Sequence, residues 1–380
     1  MKRLVMPVIL TILTVVLTFT HSVAVNTSQR LLSSAVLLEI DGGFDLSAET
    51  LAKQPYDFSV YFQKNGRVEH ALSKNTTQIR EIWTDSRYAD YSGIRMLSGS
   101  FFPGESAREA VIGSAMALSL FLTDDVVGRQ IDIDGTVYSI CGVYADEPSM
   151  FARLAMHPYP QVYLPYERID GNQAFTMLIP VQNSSMEAQA RDTAGTVLGG
   201  YIYTAETVNM AEARDLAEQS RRLVLFVFGA ALALMLVIIA GKRIRIFVLA
   251  MSAQQRQYLG FGSSEVRRHT PYLIVCFSMI AAGVGIFLLA MFPVILPQAM
   301  LGANGLEPQG WIDNLLNYTR NLHMEYRGFH ERYAYYTLFF LYGQSLLITA
   351  AFFAALNSWI KYFSQAGIAG KIFKMKEHKN

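Results

Sequence analysis

The residues able to do chemistry do not gather into a reaction centre along this chain. A phosphate-binding loop needs two glycines, a lysine and a hydroxyl at fixed spacing, G-x-x-x-x-G-K-[ST]. The sequence offers only Gly367-Ile368-Ala369-Gly370-Lys371, and Ile372 supplies no hydroxyl for magnesium. The seven histidines form no HExxH pair, and His157, His323 and His330 are scattered, so no metal site is expected. No G-x-S-x-G elbow presents a nucleophilic serine. Of the two cysteines, Cys276 falls in an apolar run and Cys141 in a more polar region, so neither a disulfide nor a redox pair is expected. The chain reads as a non-enzyme with no cofactor of its own. If ATP drives it, another chain must hydrolyse the ATP.

The elements around these residues are dominated by apolar mass. Of 380 residues, 52% are hydrophobic and only 17% charged, against roughly 25% charged in soluble domains. The net charge of +1 gives no overall attraction to nucleic acid. A hydrocarbon core of about 30 Å needs roughly 20 apolar helical residues. Four stretches qualify: residues 4–25, with Pro7 and His21; 223–240; 272–296, with Gly283, Gly285 and Pro293; and 335–359, with Gln344 and Ser345. The first has a rival reading as a cleaved signal peptide, because Ser22-Val23-Ala24 resembles a small-x-small site. Its length favours a retained helix, and both readings put the following domain on the same side. The spans hold almost no ionisable residues, which argues against an ion-driven carrier. Gly283 and Gly285 fit close helix packing.

Basic residues set the orientation. Lys2 and Arg3 precede span one, and Lys361, Lys371, Lys374, Lys376 and Lys379 follow span four. Lys242, Arg243, Arg245, Arg256, Arg267 and Arg268 stand between spans two and three against the single acid Glu265. Both termini are therefore expected in the cytoplasm of a bacterial inner or plasma membrane, with membrane lipids as constant partners. Residues 297–334 carry both signs and form an extracytoplasmic loop. Its Trp311, Tyr318, His323, Tyr326 and His330 suit anchoring at the headgroup level, a cover over the base of the outer domain, or contact with a partner.

Residues 26–204 read as a mixed α/β extracytoplasmic domain, making the whole an α+β membrane protein with four transmembrane helices. Strands are expected at 36–40 and 58–62, with turns at Asp41-Gly42-Gly43 and Lys64-Asn65-Gly66-Arg67. Residues 114–121 have helical spacing, with Ala117, Leu118 and Phe121 on one side. Residues 130–134 and 137–143 form a hairpin turning at Asp134-Gly135. From 205 the spacing turns helical and meets no Gly or Pro before span two, so stalk and span are expected to be one helix over 205–241, the plainer reading being a charged juxtamembrane linker.

Two segments resemble the MacB/FtsX-type permeases of ABC transporters. In residues 88–144 the matching phrases are Leu97-x-Gly99-x-Phe101-Phe102, then Asp125-x-Val127-Gly128-Arg129-x-Ile131, then Asp134-Gly135-x-x-Tyr138-x-Ile140-x-Gly142-Val143. These resemble the family's periplasmic core, so Gly99, Gly128, Asp134, Gly135 and Gly142 are its structural motif. Residues 243–268 resemble the family's cytoplasmic coupling loop, with a turn at Leu259-Gly260-Phe261-Gly262-Ser263, though without the usual Arg-Glu-Ile-Gly-like lead-in. The resemblance implies that Arg256, Leu259, Gly260, Gly262, Ser263 and Glu265 meet an ABC ATPase subunit, which binds the ATP. It also implies a second permease copy or paralogue in a dimer. The order would be helix one at 1–25, the MacB-like domain at 26–204, stalk and helix two at 205–241 and the coupling loop at 242–270. Helix three at 271–296, the outer loop at 297–334, helix four at 335–360 and a basic tail at 361–380 complete it. The function implied is export or extraction of a hydrophobic or peptide-like substrate. The alternative is a regulatory membrane protein whose ectodomain activates an external enzyme or senses a ligand. A positive-inside loop that only holds topology is the plainer reading of 243–268.

Overall fold

The structure, a computed structural model, describes residues 2–29, 32–69, 76–102, 108–146, 150–155, 158–200, 205–257, 263–294, 308–322 and 328–365. The chain splits into two units, a membrane unit of 1–24, 218–296 and 341–380 and an outer unit of 25–217 and 297–340.

Among the described residues, four helices are long and apolar enough to cross a membrane. They are α1 (Lys2–Ser28), α7 (Met210–Gln257), α8 (Ser263–Met291) and α10 (Phe329–Gln365), numbered with the outer elements in chain order. Pro7 lies in the second turn of α1, and the helix continues through it. Gly229 of α7 lies against Ala290 of α8, and a Cβ on Gly283 would stand 3.1 Å from the Ala233 carbonyl. Gly283 thus packs two spans together, as expected. Gly285 has no such neighbour within 4 Å among the described residues.

The outer unit opens with β1 (Ala35–Ile40), β2 (Leu46–Ser47), α2 (Ala48–Ala52), β3 (Ser59–Glu69) and β4 (Thr76–Thr84). Next come α3 (Tyr88–Ser92), β5 (Met96–Gly99), β6 (Glu109–Gly113), α4 (Ser114–Phe121), β7 (Gln130–Ile133) and β8 (Thr136–Tyr144). It continues with α5 (Met150–Ala155), β9 (Gln161–Pro165), β10 (Arg168–Ile169), β11 (Phe175–Pro180), α6 (Glu187–Leu198) and β12 (Glu206–Asn209), and later contributes α9 (Pro308–Leu322).

One sheet runs β12-β1-β11-β3-β4-β9-β6-β8-β5, while β7 pairs with both β3 and β8. Those extra pairings close β3, β4, β9, β6, β8 and β7 into a ring. Two hydrophobic cores result. Val36, Leu38, Val60 and Met177 pack under Ala194 of α6 in one. Val68, Ile79, Ile112, Leu120 and Ile140 fill the other. The long β3–β4 pair serves both cores, and Trp83 packs against each.

The expected hairpin is present, with Ile133 opposite Thr136 and both Asp134 and Gly135 at positive φ. The expected turn at 64–67 is not. β3 runs straight through it, pairing Lys64 with Glu81 and Gly66 with Ile79. Gly66 stays because a Cβ there would run into the Glu81 carboxyl. The glycine marks a notch for a neighbouring side chain rather than a reversal. In α4 the buried residues are Met116, Ala117 and Leu120 while Leu118 is exposed, so its inner face lies about one position away from the expected one.

Three boundaries also move. Residues 206–209 form β12, because they complete the sheet beside β1, so the long helix starts at 210 and not 205. It then continues to Gln257, and α8 begins at Ser263, so the expected loop 242–270 is helical at each of its described residues. Residues 297–334 hold α9 and the first turns of α10, which begins at Phe329 rather than 335.

Candidate functional site

The five motif residues of the outer unit cluster around β8 as scaffold. Gly99 and Gly142 face each other across the β5–β8 pair. Gly99 has φ +68°, and a Cβ on it would strike the Cys141 carbonyl oxygen. Only glycine tolerates both conditions. At the hairpin, Asp132 Oδ1 accepts from the Gly135 N–H at 2.7 Å, fixing the Asp134-Gly135 turn. The Gly128 N–H donates to the Ile140 carbonyl at 2.7 Å, tying the preceding loop to the same strand. The Cys141 Sγ contacts the Ala110 carbonyl at 3.5 Å, and burial pushes its thiol up to about 11.

Between the two cores lies a buried carboxyl. Glu81 is 5% exposed and accepts from Trp83 Nε1 at 2.8 Å. Burial raises its pKa above the usual carboxylate range, against the hydrogen bond from Trp83. The Lys64 ammonium lies over the Phe62 and Trp83 rings, 5.2 and 5.5 Å from their centroids.

The start of α7 is gripped by several elements of the outer unit. Asn209 Oδ1 accepts from the Glu212 N–H at 3.2 Å, an N-cap on the helix. Its Nδ2 donates to the Ser184 carbonyl at 2.8 Å, and the Tyr318 hydroxyl on α9 donates to its carbonyl at 2.7 Å. Asn209 thus joins β12, α7, α9 and the turn before α6. Burial raises the Tyr318 phenol pKa well above its usual value. His330 Nε2 meets the Tyr88 hydroxyl at 3.2 Å, deep in the same unit. Tyr318 and His330 therefore pack onto the outer domain, the cover that the sequence offered as one reading of this loop. His323 and Tyr326 lie outside the described residues.

In the membrane unit, His21 is buried among polar groups from two other helices. Its Nδ1 is 3.3 Å from Gln344 Oε1, and Nε2 is 3.3 Å from the Ser220 hydroxyl and 3.5 Å from that of Ser345. Gln344 Nε2 donates to Thr20 Oγ1 at 3.0 Å, turning its oxygen toward the imidazole. The network then favours a proton on Nδ1, with Nε2 accepting from Ser220. His21 thus joins α1, α7 and α10.

The expected ATPase contacts divide. Arg256 lies in the last turn of α7, and Ser263 and Glu265 in the first turn of α8. Leu259, Gly260 and Gly262 fall outside the described residues. Sequence reasoning missed the Asn209 joint, the Glu81 notch and the His21 network. Only the last had a signal, since His21, Gln344 and Ser345 are polar residues inside apolar runs.

Against known proteins, the sequence profile of the MacB-like periplasmic core domain matches residues 8–220. The periplasmic region of MacB from Actinobacillus actinomycetemcomitans aligns at 14% identity and a TM-score of 0.34, covering 46% of this chain and 88% of that one. The extracellular domain of the noncanonic ABC-type transporter YknZ from Gram-positive bacteria aligns at 12% and 0.33, covering 43% and 92%. No curated protein matches in sequence. With more than half its length matched by that profile, the chain belongs to the MacB/FtsX-type ABC transporter permease family, built on the MacB-like periplasmic core domain.

Proposed function

We propose that the chain is the membrane subunit of an ABC-type complex. It couples ATP hydrolysis by a separate subunit to movement of its outer domain, and so exports or extracts a hydrophobic or peptide-like substrate. One observation carries this reading: α7 runs 48 residues without a break, from the Asn209 cap to the basic stretch ending at Gln257. At about 1.5 Å per residue such a helix is roughly 70 Å long, enough to link events beyond both faces of a bilayer. The arrangement of basic residues supports cytoplasmic termini. With that orientation, Arg256, Leu259, Gly260, Gly262, Ser263 and Glu265 are the proposed contacts with the ATPase, and a second permease copy or paralogue is proposed from the family.

Affinity purification from native membranes in mild detergent tests the reading. An ATPase should co-elute, and Gly260→Leu or Glu265→Ala should lower its turnover without lowering the yield of the permease. If no ATPase accompanies the wild-type chain, the coupling reading is wrong.

A further inference from the structure

The outer unit also holds a cavity that the coupling elements do not use. It has a volume of about 290 Å³ and lies between the start of α4 and the residues leading into β9. Val68, Met116, Leu120 and Pro158 contribute to a mainly apolar wall, and Asp146 is its one carboxylate among the described residues. The position of that carboxylate is built into the fold. Asp146 Oδ2 accepts from the Ser114 hydroxyl at 2.9 Å and from the Ala115 N–H at 2.5 Å. Its other oxygen lies over Gly113, where a Cβ would come within 2.7 Å of it. Among the described residues no Lys, Arg or His forms an ion pair with Asp146.

An apolar wall selects an uncharged body, and a carboxylate with no ion pair among the described residues selects a cation attached to that body. Ligand cavities for drug-sized molecules run from roughly 300 to 1,000 Å³, so this one suits a group the size of a single amino acid. We propose that it receives the first residue of a peptide, with a large apolar side chain against Met116 and Leu120 and its α-ammonium on Asp146. An acylated terminus, an internal apolar residue or a fatty chain would lack the cation. The assignment rests on the peptide-like branch of the proposed function and narrows it to peptides with a free, apolar N-terminal residue.

Calorimetry on the full chain in zwitterionic nanodiscs tests it, with tryptophanamide and N-acetyltryptophanamide as probes and empty nanodiscs as the blank. Tryptophanamide should bind at least about tenfold more tightly than its acetylated twin. Asp146→Asn keeps a side-chain oxygen for Ser114 and Ala115 and should erase that preference. Ser119→Trp, from an exposed position on the rim, should fill the cavity and abolish binding of both probes. Equal affinity for the two probes, no binding of either, or undiminished binding to Ser119→Trp would each overturn the site. The assay contains no ATPase, so its failure leaves the permease reading standing. Binding by a chain that recruits no ATPase would instead sink the permease reading alone.

Discussion

Glu81 and Gly66 are paired by space: the strand lacks a Cβ where the carboxyl must lie. Because burial raises the Glu81 pKa in the folded protein, the folded state holds that proton more tightly than the unfolded chain. Its contribution to stability is therefore full below the unfolded carboxyl value near 4.5, and is lost as pH rises through the folded value. Burial shifts Asp85 in the same direction. Glu81→Gln should melt higher than wild type at pH 7.5, with the gap closing toward pH 4.5; an unchanged gap would mean Glu81 is not the titrating group. The two kinds of motif glycine should also separate. Gly128 has φ +86° with nothing within 4 Å of a Cβ, so alanine meets only backbone strain of about 1–2 kcal/mol. Alanine at Gly99 meets that strain plus the Cys141 carbonyl. Chemical unfolding should show the larger loss for Gly99→Ala.

At the scale of elements, short-range signals were legible and long-range ones were not. The 130–144 hairpin showed itself through alternation around Asp134-Gly135, and the four spans through length and hydropathy. The misread turn at 64–67 has a physical cause. Asn-Gly favours a reversal locally, but the neighbouring strand pairs Gly66 with Ile79 and lays the Glu81 carboxyl where a Cβ would stand, so the glycine is held in an extended strand. Strand β12 was missed because its reason for being is β1, some 170 residues earlier in the chain. The joint at Asn209 was equally hidden, with its Tyr318 partner 109 residues away. That joint makes a graded prediction. Tyr318→Phe should cost about 1 kcal/mol for one hydrogen bond to a carbonyl. Asn209→Ala keeps the carbonyl that Tyr318 bonds but loses the helix cap and the Ser184 contact, so it should cost more, about 2 kcal/mol. Asn209→Ser keeps an oxygen for capping and should fall between them. Equal losses for all three would show that the contacts do not act as a cap.

For the whole molecule, the outer unit takes residues from two separate stretches of the chain, and sequence patterning shows only the first as a domain. Residues 297–340 belong to it through contacts such as Tyr318 with Asn209 and His330 with Tyr88, which no local pattern announces. The proposed orientation places both stretches outside the cytoplasm, and Cys141 can report on that. Its thiol is partly buried and its pKa is pushed up to about 11, so little thiolate exists near neutral pH. In a Cys276→Ser background, a membrane-impermeant maleimide should label folded Cys141 slowly in intact cells. Mild denaturant that opens the β6–β8 pair should raise the rate without permeabilising the membrane. Labelling that appears only after the membrane is breached would place the outer unit inside the cell, away from any substrate delivered to the far side. The direction of coupling along α7 would then have to be reversed.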